Sequence, residues 1–121
     1  MFLEQGEKLL VTHRRLFRND THRFFCGEVE HYQDGIVLIE GYTWTWDPMS
    51  GQMVKKEDRR RKLVALASGT VIVYALDRTV DIEALGFERE SNGRLLLTDG
   101  ADLKLDLTEQ TPHPGSAATW E

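Results

Sequence analysis

Apolar residues in this chain recur at strand spacing, in short runs broken by glycine turns, and outside the N-terminus there is no helical stretch of twelve or more residues. The pattern predicts an all-β protein. His22 to Gln33 reads as one strand, Asp34-Gly35 as its turn, and Ile36 to Trp46 as the returning strand. A glycine after Asp suits a hairpin, because glycine takes the left-handed backbone conformation without steric cost. With a bulge in a Gln33-Asp34-Gly35 loop, the register sets Val29 against Ile39, Cys26 against Tyr42 and Phe24 against Trp44. It also sets Gly27 against Gly41, the mark of a sharp bend or a close backbone approach. Glu28 meets Glu40 in the same register, which requires that the pair face water or that the register shift by one.

Asp47-Pro48-Met49-Ser50-Gly51 is a turn by composition, and the flanking Tyr42 to Trp46 and Gln52 to Val54 make an extended hairpin arm. Leu63 to Ala67 and Thr70 to Leu76 are nearly continuous apolar runs around Ser68-Gly69. Strands apolar on both faces are buried on both, by the domain itself or by a neighbouring subunit. Ile82 to Glu90 reads as a strand, Asn92-Gly93 as a two-residue turn, Arg94 to Thr98 as the partner, and Ala101 to Leu107 as a last strand that alternates polar and leucine. Near the start, Leu9 to Phe17 reads as an opening strand or a short helix, the strand preferred, with Arg18 to Thr21 as the turn after it. Seven or eight strands joined by tight hairpins give a strongly bent antiparallel sheet or a small barrel with hairpin extensions.

A length of 121 residues fits one domain, placed at 1–107, with 108–121 expected to be a flexible tail rich in proline and small residues. No apolar run approaches the ~18 residues of a membrane-spanning helix, and the first residues lack the order of a secretory signal. With one cysteine, these features predict a protein of the reducing cytoplasm that has no membrane partner.

Charge is unevenly distributed. Residues 1–62 carry eleven Lys and Arg against ten Asp and Glu, whereas residues 63–121 carry four against ten. That polarity favours head-to-tail self-association or a charged partner. The densest basic run, Lys55 to Lys62, holds six cations and two acids. It reads either as a phosphate-contacting patch or as a solvated edge whose charges discourage aggregation, and the acidic net charge of −5 favours the second.

Chemistry is sparse. There is no nucleophile elbow, no glycine-rich phosphate loop and no histidine or cysteine pair at zinc spacing, so no cofactor is expected. Cys26 reads as a small apolar strand residue. Glu28, His31 and Glu40 form the one carboxylate and imidazole set that a small-ligand or catalytic site would use. Phe24, Phe25, Tyr32, Tyr42, Trp44 and Trp46 read first as core and hairpin arm, and second as a base-stacking surface.

The run Arg23 to Tyr32, its turn, and Ile36 to Glu40 resembles the first motif of Sm-like proteins, over about 20 of the 121 residues. The resemblance implies a five-stranded, SH3-like open barrel that closes into a ring of identical subunits by pairing edge strands. RNA binding is the role it implies. The turn Tyr32-Gln33-Asp34-Gly35 is shorter than the family's and has no asparagine, and the arginine-glycine pair of the second motif has no counterpart near Ser68-Gly69. Tyr32 is the residue left to stack on a base. The sequence thus favours a non-enzymatic, self-associating β-barrel, with interface candidates Leu63, Val64, Leu66, Val71 and Val73. The alternative is a nucleic-acid module using Tyr32, Lys55, Lys56, Arg59, Arg60 and Arg61.

Overall fold

The computed structural model describes residues 3–13 and 23–107, and it is all-β. The expectations for the turn at Arg18 to Thr21 and for the tail 108–121 lie outside the described residues. Where the sequence suggested one domain over 1–107, the chain divides into two compact units, 1–82 and 83–121.

The first unit is a single antiparallel sheet of β1 (Lys8–His13), β2 (Arg23–Gln33), β3 (Ile36–Asp47), β4 (Gln52–Lys55), β5 (Arg60–Ala65) and β6 (Val71–Leu76). Its order is β4-β3-β2-β1-β6, with β5 also on β3. The hairpin β2–β3 has the register that its glycines and aromatics predict, Phe24 against Trp44 and Gly27 against Gly41 included. The bulge is not in the turn, however. Asp34 and Gly35, at φ 51° and 80°, form a tight two-residue turn closed by the Gln33/Ile36 pair, and the register shifts instead between Val29 and His31.

Gly41 is what lets β3 serve two partners. Residues Ile36 to Gly41 pair with β5 and residues Trp44 to Asp47 pair with β4, both on the strand edge away from β2. At the bend the two strands approach so closely that a Cβ on Gly41 would run into the Cys26 carbonyl and the Gly27 Cα. A Cβ on Gly27 would strike the Ile39 side chain and the Glu40 carbonyl.

Leu9 and Val11, Phe25 and Val29, and Val37 and Ile39 project from three adjacent strands into one core. Val64 and Leu66 pack on it from one end of the strand order, and Val71 and Val73 from the other, so the sheet is strongly curled. Among the described residues β5 and β6 are not paired with each other. Closure into a barrel is therefore not seen. Part of the second face is also dry, with Leu10, Phe24 and Cys26 fully buried, while Glu28 and Glu40 further along it are partly exposed.

The expectation that Leu63 to Ala67 is buried on both faces is corrected. Val64 and Leu66 turn inward while Leu63, 74% exposed, and Ala65 turn outward. The strand stops at Ala65 because Leu66–Ser68 winds into a 3₁₀ turn that ends on Gly69 at φ 78°.

The second unit is the meander β7 (Gly86–Arg89), β8 (Leu95–Thr98) and β9 (Lys104–Asp106), with Leu95, Leu97 and Leu107 fully buried. Three expectations change here, each for a local reason. Ile82–Ala84 is a 3₁₀ turn, not strand: Ile82 and Leu85, three apart, are both buried, whereas alternation would set them on opposite faces. Ser91 to Gly93 is a three-residue loop, in which the Gly93 N–H donates to Glu90 and the Glu90 N–H donates to the Arg94 carbonyl. The last strand starts at Lys104 because the Asp99 carboxylate accepts from the Ala101 and Leu103 N–H groups at 2.8 and 3.1 Å and holds that stretch as a loop.

Candidate functional site

The basic run spans β4, its connection and β5, and β3 lays acids beside it. In the β3/β5 register Arg61 lies opposite Glu40, next to Lys62 opposite Ile39. Arg59 Nε donates to Glu40 at 2.8 Å and Arg61 Nε donates to Glu30 at 2.7 Å; Arg60 lies 3.5 Å from Asp58. These hydrogen bonds raise the pKa of Arg59 and of Arg61 above the ordinary arginine value, the contact with Glu40 leading for the first and that with Glu30 for the second. Lys55 stands 3.9 Å over the Tyr42 ring, with the Arg59 guanidinium 5.6 Å from the same ring. Three arginines of the run thus have an acid and Lys55 a ring, while Arg60 and Arg61 stay exposed. Tyr32 is half-buried and packs against the core.

The Glu28, His31 and Glu40 set is taken apart in the same way. Glu28 pairs with Lys8 at 3.4 Å, Glu40 with Arg59, and exposed His31 lies 3.4 Å from the Gln33 side-chain oxygen. The Glu28/Glu40 register holds because each acid has its own cation. No group of three metal-ligating side chains forms among the described residues. Burial pushes the Cys26 thiol up to about 12, which keeps it protonated and removes it as a nucleophile near neutral pH.

Of the interface candidates, Val64, Leu66, Val71 and Val73 pack half-buried on the core of their own sheet, and Leu63 alone stands out into solvent. What remains open is the strand edge itself. β6 pairs with β1 through all six residues, from Lys8/Leu76 to His13/Val71, and has no partner on its other side among the described residues.

Between β5 and β6, where the curled sheet fails to close, lies a cleft of about 300 Å³. Its apolar wall is built by Val11, Phe25, Val64 and Val71. The polar groups at it are His13, Arg23 and Lys62, with the Ser68 and Thr70 hydroxyls, which hydrogen-bond to each other at 2.8 Å. No carboxylate lines it among the described residues. Lys62 is half-buried, with its ammonium 4.8 Å from the Phe25 ring centroid. Burial first, and then Arg23, Arg60 and Lys56, hold its pKa below the ordinary lysine value. The sequence reading missed this residue, although a signal was present: Lys62 is in strand phase with Val64 and Leu66, which places it on the inner face.

The fold and its edges define a two-unit, all-β protein with an open, curled sheet. No family model, no curated protein and no solved structure matches the chain. No helix among the described residues is long and apolar enough to cross a membrane.

Proposed function

We propose that the chain is a non-enzymatic β-module that self-associates, β6 of one copy adding to the free edge of β5 of the next. One observation carries this reading. β6, Val71-Ile72-Val73-Tyr74-Ala75-Leu76, is among the described residues an edge strand of six residues without a charge, a proline or a register shift against β1. Proteins ordinarily blunt such edges, since a row of unpaired N–H and C=O groups invites another strand. Head-to-tail pairing is favoured over β5 on β5, because the latter would bring two copies of the Arg60-Arg61-Lys62 run to one seam. The Sm-like character of the β2–β3 hairpin supports the same mode of assembly. Nucleic-acid binding loses support from the ion pairs of Arg59, Arg60 and Arg61. A reducing, cytoplasmic setting belongs to this reading and is supported by Cys26 being a free, buried thiol.

Light scattering on a size-exclusion column tests the proposal. The full chain is expected to run as a homo-oligomer at micromolar concentration. Ala75→Lys, at an exposed position of β6, is expected to bring it to the monomer mass with its circular dichroism unchanged. A wild-type chain that is strictly monomeric overturns the reading.

A further inference from the structure

The basic run supplies its own control. Arg59, Arg60 and Arg61 each meet an acid, whereas Lys62, the next residue, has no ion pair among the described residues and points inward. The Phe25 ring is its attractive neighbour, its charged neighbours among the described residues are all cations, and it stands beside a cleft in a chain of net charge −5. We propose that this cleft binds a small apolar carboxylate, the head group against Lys62 and Arg23 and the apolar body along Val11, Phe25, Val64 and Val71. The charge selects the sign of the ligand, since Lys62 and Arg23 line the site and no acid does among the described residues. The wall selects its body, because a fully hydrated anion would gain nothing from the phenyl ring and three valines. The size follows from the volume. A water takes about 30 Å³ of liquid, so about 300 Å³ admits roughly ten heavy atoms, the count of octanoate. The Ser68 and Thr70 pair shares one of its two hydroxyl protons internally and leaves the other to donate to a carboxylate oxygen.

Octanoate titrated into the ¹⁵N-labelled full chain is the test, with 1-octanol and octylammonium as controls below their aggregation ranges. Expected are saturable shifts at Lys62, Thr70 and Val71 with octanoate, affinity at least about tenfold weaker for the alcohol, and none for the ammonium. Lys62→Met is expected to weaken octanoate about tenfold and to leave the alcohol unaffected. Arg23→Gln, at an exposed position, provides a second arm with a smaller loss in the same direction. Alcohol binding as tight as carboxylate, unchanged octanoate affinity in both variants, or shifts scattered away from the cleft would overturn the assignment.

Discussion

The hairpin β2–β3 and the pair β5 and β6 lie in one sheet and handle their polar groups in opposite ways. In the hairpin nearly everything is answered inside the fold: Gln33 to Arg23 pair in ladder with β3, Glu28 and Glu40 each have a cation, and two glycines let the backbones meet. At the other seam, among the described residues, β6 keeps an open edge, Lys62 has no acid, and a cleft stands between the strands. The difference teaches where this molecule is stable and where it is available: satisfied groups hold a fold together, and unsatisfied ones are where another molecule gains by binding.

The largest expected effect lies in the satisfied region. Gly41→Ala drives a methyl into the Cys26 carbonyl, an obstacle that is backbone and cannot rotate away, and should cost about 3 kcal/mol in urea denaturation. A loss under about 1 kcal/mol would show that the bend is not tight. The thiol beside it gives the next effect. Because the folded pKa of Cys26 lies above its ordinary value of 9.0, the folded state holds its proton where the unfolded state loses it. The thiol's contribution to stability should therefore be complete below pH 9 and be lost as pH climbs from there towards about 12. Cys26→Ala should flatten that alkaline decline in a thermal melt series, and an unchanged slope would count against burial as the cause.

Smaller effects are expected at the open seam. The depressed pKa of Lys62 means that the unfolded state binds its proton more readily, so stability should rise with pH below the ordinary lysine value of 10.5. Lys62→Met should abolish that rise and stabilise the protein by no more than about 1 kcal/mol, since the group is largely screened by solvent. Destabilisation on this substitution would show that the contact with the Phe25 ring outweighs the cost of burying the charge. Least of all, Arg61→Ala removes an exposed ion pair and should leave the melting temperature within error.

The contrast also accounts for what could be read without coordinates. The hairpin and its register from Val29 to Phe24 were legible because their information is local: a left-handed turn, alternating aromatics and an opposed glycine pair. The bulge at Glu30 was not, since nothing in Glu28-Val29-Glu30-His31 says which residue drops out of register. Asp99 shortened the last strand through a side chain capturing backbone N–H groups, which alternation alone does not reveal. The division after residue 82 carries no linker composition, with Asp81 to Leu85 reading like the strands around it. At the site, the charge run was visible and its neutralisation was not, because Glu30 and Glu40 reach Arg61 and Arg59 only across strands.

Amide hydrogen exchange on the intact chain at two protein concentrations tests the availability of the open seam most directly. The account expects protection of Val71 to Leu76 and of β5 to rise with concentration while that of Val37 and Ile39 stays fixed. Exchange in β6 that is slow and indifferent to concentration would mean that its edge is already satisfied within one molecule, and would contradict the account.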